Sequence, residues 1–278
     1  MFEKIVKFAA NRREYYPNIY IFSYHLLKSI KKMLIRAHLL KGEKLDKDMF
    51  DWPLYFLHYR GELKENRKQY LQSLSAGDYG FVGGKLVRQN EQIKPLHHVH
   101  RFLYETILQL EPASIFEMGC GTGANLHNLA TLLPAARVCG IDLSDRQLKG
   151  LARTYPHLKS RTKLADATAP FSFLPFEICD VAFTQAVIMH IHTGELHLMA
   201  LENLFKMSSK YVVMIERAKN HPLKNDIENL AKQGRISWDN IYYYYRQNDE
   251  TGQPMGLICS RTPLPYPELS DYSILINE

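Results

Sequence analysis

The chain has 278 residues, of which 46% are hydrophobic and 23% charged. This composition supports a buried core, excludes a disordered chain and leaves room for one α/β domain with an extension. The formal net charge of +6 arises mainly from lysines and arginines among the first fifty residues. These predict either a solvated helical face or a surface for an acidic substrate, anionic lipid or nucleic acid.

The cysteines indicate the redox environment. Cys120, Cys139, Cys179 and Cys259 are scattered singly, without the C-x-x-C spacing of many metal sites. No apolar run is long enough to span a bilayer, and no secretory signal peptide is recognisable. We therefore expect reduced thiols in a cytoplasmic protein.

The N-terminal region is predicted to be helical and basic. Residues 1–45 place apolar side chains among lysines and arginines, with a break at Pro17. Such an amphipathic segment packs on its own protein, touches a membrane surface or dimerises. We expect a helical N-terminal extension over residues 1–95 and the main domain over 96–278, beginning with a helix near 97–110.

A glycine-rich stretch is the most informative part of the sequence. Residues 114–118 form an apolar run typical of a buried strand, and leucines at helical spacing begin at Asn125. Gly119, Gly121 and Gly123 lie between them, where they let the backbone turn tightly and approach a ligand closely. The stretch therefore predicts a nucleotide-binding loop.

The residue before the glycines helps to choose the nucleotide. Gly119, Gly121 and Ala124 also satisfy the dinucleotide pattern G-x-G-x-x-G/A, so the glycines alone leave both cofactors open. Glu117 would repel a pyrophosphate and attract an ammonium group. This favours S-adenosylmethionine, which carries an ammonium and a cationic sulfonium.

The sequence EMGCGTG over residues 117–123 resembles the first motif, D/E-x-G-x-G-x-G, of class I S-adenosylmethionine-dependent methyltransferases. In that family an N-terminal helical portion often forms a lid over the cofactor. The resemblance implies such a lid here, and it covers roughly residues 97–262.

The elements beyond residue 114 alternate between strands and helices, which predicts a parallel sheet covered on both faces. Ser144, with Gln147 three residues later, marks the start of one helix, and Thr193 and Pro222 mark two more. The predicted strands are 114–118, 137–143, 162–167, 179–185, 211–216, 241–246 and 255–260. We therefore expect an α/β fold with the class I methyltransferase sheet: seven strands, mostly parallel, ending in an antiparallel hairpin.

Acidic residues at strand ends extend the predicted cofactor site. The resemblance assigns Asp142 to the ribose hydroxyls, although an acid near a helix N-terminus also interacts favourably with the dipole. It assigns Asp166 to the adenine amine, with the next backbone N–H meeting the ring. The full predicted set is Glu117, Gly119, Cys120, Gly121, Gly123, Asp142, Leu143, Asp166, Ala167 and Gln185.

Two residues are candidate general bases. The segment AVIMHI over residues 186–191 resembles the histidine-bearing segment after the fourth strand of many small-molecule methyltransferases. His190 is the first candidate, because imidazole can accept a proton near neutral pH, and a packed histidine is the alternative. Glu216 is the second candidate; otherwise it pairs with a basic neighbour. His192 and His221 are further alternatives.

Three histidines near residue 100 lack the spacing of a complete metal site. His97 and His100 share a helical face, with His98 between them, but no third ligand has matching spacing. Metal-dependent catechol-type methyltransferases place acidic residues at the end of the fourth strand, where this chain has Thr184 and Gln185. We predict a metal-independent enzyme.

The acceptor is less clearly predicted. Enzymes that methylate base amines carry an Asn/Asp-Pro-Pro-aromatic motif where this chain has TQAV at 184–187, so a nucleic acid is not expected. Most relatives in the family that the chain resembles have a Leu-Lys-Pro-Gly-Gly turn where this chain has FKMSSKY at 205–211. This departure, together with four tyrosines at 242–245, favours a saccharide, since aromatic faces stack on sugar rings. The tyrosines can equally be core residues.

Three functional hypotheses follow. The first is metal-independent O-methylation of a saccharide or another small hydroxylated metabolite. The second is a noncatalytic S-adenosylmethionine-binding scaffold, recruited to a membrane or partner by the basic N-terminus; the third is a nicotinamide oxidoreductase. The sequence leaves open whether the chain forms a homodimer.

Overall fold

The structure is a computed structural model that describes residues 72–174, 176–192 and 194–275. The predicted N-terminal helices over residues 1–45 and the predicted cap at Thr193 lie outside the described residues. Within these ranges, no helix is long and apolar enough to cross a membrane.

The described chain begins with a hairpin that the sequence analysis did not predict. Strands β1 (Tyr79–Val82) and β2 (Lys85–Arg88) pair antiparallel. Gly83 and Gly84 connect them with φ of 57° and 78°. Two consecutive positive φ angles are the signature of the tight two-residue turn that glycine favours. Helix α1 (His98–Gln109) then leads into the main sheet.

The main sheet has the predicted topology. Its strands are β3 (Ser114–Met118), β4 (Arg137–Asp142), β5 (Thr162–Leu164), β6 (Cys179–Gln185), β7 (Ser208–Ile215), β8 (Tyr242–Gln247) and β9 (Pro254–Ser260), in the spatial order β5-β4-β3-β6-β7-β9-β8. Strands β3 to β7 are parallel, whereas β9 runs antiparallel to both β7 and β8. The seven-stranded α/β fold with a C-terminal antiparallel hairpin is therefore confirmed.

Helices cover both faces of this sheet. They are α2 (Ala124–Leu132), α3 (Asp145–Thr154), α4 (Leu196–Lys206) and α5 (Leu223–Lys232). Neighbouring strand residues face opposite ways: Ile115 joins a core with α1, α2 and α3, and Phe116 joins a second core with α4 and α5. Burial on both faces explains why these strands are almost wholly apolar.

Two strands differ from their predicted bounds by more than one residue at an end. Strand β5 ends at Leu164, so Asp166 lies in the turn beyond it. Strand β7 begins at Ser208, earlier than predicted, because its first residues are polar and carry no apolar signal.

The four tyrosines of β8 are packing residues. Tyr242 and Tyr244 pack with the core on one face, and Tyr243 and Tyr245 pack with the core on the other. This alternation is that of a strand between two layers. The core alternative therefore explains the tyrosine run, and the run gives no support for a sugar-stacking surface.

Candidate active site

The glycine loop joins β3 to α2, and its three glycines all have positive φ. A Cβ on Gly119 would lie 2.4 Å from Val187 Cγ2, and a Cβ on Gly123 would lie 2.5 Å from Leu151 Cδ1. Nothing lies within 4 Å of a Cβ added to Gly121. Packing therefore requires the outer two glycines, whereas Gly121 faces open space where a ligand can approach the backbone.

The loop is held against the end of β4. The backbone N–H groups of Gly119 and Cys120 donate to the Ile141 carbonyl oxygen at 2.8 and 2.9 Å. Cys120 is buried, and burial raises the pKa of its thiol. The sequence brings these residues together because β3 and β4 are adjacent parallel strands whose carboxyl ends meet at one edge.

Asp142 ties the loop to the next helix. Its Oδ2 accepts from the Gly121 N–H at 2.8 Å, and its Oδ1 accepts from the Ser144 N–H at 2.7 Å. Burial raises the pKa of Asp142, and these two hydrogen bonds oppose the rise. Ser144 caps α3 through the Gln147 N–H, as predicted. The ribose role of Asp142, and the contact expected from Leu143, stay predictions.

Glu117 is the most unusual group of the site. It is only 2% exposed, and its Oε1 accepts from Asn125 Nδ2 at 2.8 Å. Its Oε2 is buried without a hydrogen-bond partner within the described part of the chain. Burial raises the pKa of Glu117 to about 8, and the hydrogen bond from Asn125 opposes the rise. A buried carboxylate oxygen of this kind needs a donor, and the ammonium group of S-adenosylmethionine fits it.

Asn125 and Tyr104 complete this part of the site, and the sequence analysis missed both. Asn125 Nδ2 also donates to Gln185 Oε1 at 3.0 Å, so one amide joins residues at the ends of β3 and β6. Asn125 Oδ1 accepts from the Tyr104 hydroxyl at 2.9 Å. That hydroxyl in turn accepts from Asn128 Nδ2 at 2.9 Å. The sequence signal that could have identified Asn125 is its position: it is a polar residue in the first turn of the helix that follows the glycines.

The turn after β5 lies beside the end of β4. The Ala165 N–H donates to the Asp142 carbonyl oxygen at 3.1 Å. Asp166 Oδ1 accepts from the N–H and hydroxyl of Thr168 at 2.8 and 2.6 Å, which fixes the turn. Asn203 Nδ2 donates to the Ala167 carbonyl oxygen at 2.8 Å. Asp166 and Ala167 therefore lie at the same sheet edge as Asp142, and their contact with adenine stays a prediction.

Glu216 follows β7 and is 1% exposed. Its Oε1 accepts from the Thr184 hydroxyl at 3.0 Å, and its Oε2 accepts from the Met189 N–H at 2.9 Å. The Val187 N–H lies 3.0 and 3.1 Å from the two oxygens. Burial raises the pKa of Glu216 and the backbone hydrogen bonds oppose the rise. This geometry braces the segment after β6; the role of Glu216 as a base stays a prediction.

The braced segment has an unusual backbone. Ala186, directly after β6, has a φ of 53°, which is uncommon for a residue with a Cβ. Its N–H donates to the Ile215 carbonyl oxygen at 3.0 Å. Outliers of this kind persist only where the surrounding structure holds them, and they concentrate at functional sites.

His190 ends the 3₁₀ turn Ile188–His190 and is half-buried. Burial, with smaller contributions from His192 and Arg217, lowers the pKa of His190 to about 4. The imidazole is therefore neutral at pH 7, which is the form that can accept a proton.

The alternative histidines form a stack beside this turn. The His221 ring centroid lies 5.6 Å from that of His192 and 4.3 Å from that of His197. Burial lowers the pKa of His221 to about 4, with a contribution from His197. His197 Nε2 lies 3.6 Å from Asp226 Oδ2.

The histidines at the start of α1 diverge. His97 caps the helix by accepting from the Val99 N–H at 3.4 Å. His98 Nδ1 lies 3.2 Å from Asn248 Nδ2. His100 is buried beside Tyr104. Among the described residues, no group of three or more histidine, cysteine, aspartate or glutamate side chains is arranged to hold a metal ion.

An open cleft lies beyond the end of β7, with a volume of about 1130 Å³. Asn220, in its lining, donates from Nδ2 to the Met189 carbonyl oxygen at 2.9 Å, so the cleft adjoins the His190 turn. Its lining consists of Arg217, Ala218, Lys219, Asn220, His221, Pro222, Lys224, Asn225, Ser270, Asp271, Tyr272, Ser273 and Leu275. We call this the β7 cleft.

One family model matches the middle part of the chain. Residues 115–208 match the family model described as a methyltransferase domain. No curated protein matches the chain.

Several solved structures are similar in fold. Magnesium protoporphyrin IX methyltransferase from Synechocystis PCC 6803, with bound cofactor, is 14% identical over 80% of this chain and 100% of its own, with a TM-score of 0.48. An amino pentose methyltransferase from Micromonospora echinaspora is 14% identical over 62% and 93%, with a TM-score of 0.46. A sugar N-methyltransferase from Streptoalloteichus is 16% identical over 58% and 53%, with a TM-score of 0.38.

Similarity at this level does not identify an acceptor. The family match covers β3 to the start of β7, which is the segment that carries the glycine loop and the predicted cofactor residues. Because this matched segment lies in a sheet of the class I order, the chain contains a class I S-adenosylmethionine-dependent methyltransferase domain.

Proposed function

We propose that the enzyme methylates a hydroxyl group of a saccharide or a related small hydroxylated metabolite, without a metal ion. The β7 cleft, assigned here to the acceptor, is the observation that carries this proposal. Its size suits a small molecule, and Asn220, Asn225, Ser270 and Ser273 give its lining neutral hydrogen-bonding groups. Such groups match a ligand rich in hydroxyls.

The residues at the ends of β3, β4 and β5 hold the cofactor in this proposal. Glu117 Oε2 accepts from the ammonium, Asp142 accepts from the ribose hydroxyls, and Asp166 with the Ala167 N–H binds adenine. When bound, S-adenosylmethionine supplies a methyl group on a cationic sulfonium. Gly121 supports this arrangement because an added side chain there would enter the open space that the ligand needs.

His190 is the proposed base, ahead of Glu216. The acceptor loses its hydroxyl proton to the neutral imidazole as its oxygen gains the methyl group. Both Glu216 oxygens already accept hydrogen bonds from Thr184, Val187 and Met189, and the carboxylate is enclosed. Glu216 therefore serves as a positioning residue that fixes the turn carrying His190.

The test is methyl transfer from labelled S-adenosylmethionine to a panel of saccharides and other hydroxylated metabolites, detected by mass spectrometry. His190→Ala should lower turnover by about 100-fold or more, with S-adenosylhomocysteine affinity unchanged. His157→Ala removes an exposed histidine beyond α3 and is the matched control.

Two outcomes would contradict the proposal. Full activity of His190→Ala would remove it as the base. Cofactor binding without turnover across the whole panel would favour the noncatalytic scaffold instead.

A further inference from the structure

The β7 cleft carries an excess of positive charge. Arg217, Lys219 and Lys224 line it, and Asp271 is the acidic residue among its lining side chains. We propose that the acceptor also bears an anionic group, a phosphate ester or a carboxylate, which binds to Arg217 and Lys219. This rests on the proposed function, because it adds a substrate class to the same cleft.

The three cations of the cleft are not equivalent. Lys224 Nζ lies 2.5 Å from Glu228 Oε1 and 4.9 Å from the centroid of the Tyr243 ring. The charge of Lys224 is therefore already paired with that of Glu228. Arg217 and Lys219 are exposed, and neither forms an ion pair among the described residues.

The acidic residue of the cleft, Asp271, is hydrogen-bonded within its own turn. Asp271 Oδ1 accepts from the Ser273 N–H at 2.8 Å, and hydrogen bonding to the Ser273 side chain and to this N–H lowers the pKa of Asp271. It keeps its negative charge and would repel an anion bound beside it. The anion therefore binds toward Arg217 and Lys219, which together carry two positive charges on the stretch that follows β7.

Arginine suits this task particularly well. Its planar guanidinium presents paired donors that match a phosphate or carboxylate bidentately, and it stays charged at all relevant pH values. Lysine adds a compact second charge.

The same backbone contacts position Arg217, which binds the anion in this proposal, and His190, the proposed base. Arg217 directly follows Glu216, which holds the backbone of Val187 and Met189. Asn220 fixes the same turn through the Met189 carbonyl oxygen. An anion held at Arg217 is therefore held at a fixed position relative to His190.

The bound anion would also favour catalysis. The charge of Arg217 contributes to the lowered pKa of His190. A negative group at Arg217 offsets that charge and moves the imidazole toward the range in which a base is effective. The same group would anchor the acceptor and improve the base.

The experiment is calorimetric titration of the full chain, saturated with S-adenosylhomocysteine, with inorganic pyrophosphate and separately with succinate. The double variant Arg217→Gln/Lys219→Gln should lose at least about 10-fold in affinity for the probe that binds. Arg153→Gln/Lys159→Gln removes the same two charges from exposed positions on α3 and the turn after it, and should bind as wild type does. Preference for one probe identifies the group as phosphate or carboxylate.

Three results would overturn the proposal: no binding of either probe to wild type, equal affinity in wild type and the cleft variant, or equal losses in both variants. Both pairs of residues are exposed, and circular dichroism verifies that the variants fold. The titration needs no turnover, so its failure leaves methyl transfer intact, and failure of methyl transfer leaves the titration interpretable.

Discussion

Two buried glutamates, near the ends of β3 and β7 on either side of β6, have opposite hydrogen-bonding states. Glu117 and Glu216 are 2% and 1% exposed, and burial raises the pKa of both. Glu216 accepts from a hydroxyl and two backbone N–H groups, whereas Glu117 accepts from Asn125 and has one oxygen without a partner in the described chain.

This difference predicts a structural role for Glu216 and a ligand-binding role for Glu117. A buried carboxylate whose oxygens are all satisfied stabilises the conformation around it, because each donor would be unsatisfied without it. A buried carboxylate with an unsatisfied oxygen is unfavourable until a donor arrives from outside the chain. Four measurements test this comparison, in order of decreasing expected effect.

Glu216→Gln should lower the free energy of unfolding by about 3 kcal/mol, because the new amide NH₂ faces donors that lose their acceptor. Chemical denaturation measures this loss. Glu177→Gln, at a side chain that is 89% exposed, should change stability by less than about 0.5 kcal/mol. Wild-type stability of Glu216→Gln would contradict the bracing role.

Glu117→Gln should weaken S-adenosylhomocysteine binding at pH 8 by about 30-fold, or about 2 kcal/mol, because a charge-assisted hydrogen bond to the ammonium is lost. Calorimetry measures the affinity. Binding of 5′-methylthioadenosine, which lacks the ammonium, is the control and should not change. Equal losses for both ligands would mean that the substitution damages the whole site.

The pH dependence of binding follows from the raised pKa of Glu117, which is about 8. Below that pH the carboxyl group is protonated and neutral, so it must release a proton before it pairs with an ammonium. Affinity for S-adenosylhomocysteine should therefore fall as pH falls, by up to about tenfold between pH 7 and pH 6. A wild-type affinity that does not change with pH would contradict this prediction. If Glu117→Gln kept the same dependence of affinity on pH as wild type, a group other than Glu117 would cause it.

Asn125→Ala should weaken S-adenosylhomocysteine binding by about 5-fold, because Glu117 and Gln185 lose the amide that orients them, although water can replace part of it. Asn229→Ala, on the exposed face of α5, is the matched control. An unchanged affinity of Asn125→Ala for S-adenosylhomocysteine, measured beside 5′-methylthioadenosine, would show that Glu117 is oriented without it.

Local sequence signals predicted much of the fold. The bounds of β3 and β6 agree with the predicted 114–118 and 179–185, because both are apolar runs bounded by polar or turn residues. The parallel order and the final hairpin follow from the alternation of elements and from the turn at 248–252.

The contacts that define the site could not be predicted in the same way. The bonds of Glu216 reach residues 27 to 32 positions earlier, so they depend on β6 and β7 being adjacent. The Tyr104–Asn125 contact joins two helices 21 positions apart. Neither is a periodic or propensity signal, so only the packed structure shows it.

The contacts of Asn128 have a consequence for shortening the chain. This buried amide accepts from the Leu74 N–H and donates to the Gln72 carbonyl oxygen, while it also holds the Tyr104 hydroxyl next to Asn125. A truncation that starts at residue 96 would remove both backbone partners and leave a buried amide partly unsatisfied. Three hydrogen bonds, through Tyr104 and Asn125, connect this amide to Glu117. Truncated proteins made for crystallisation or assay should therefore retain residue 72 onward, since a shorter one would alter the orientation of the Glu117 carboxyl group as well as the stability of the domain.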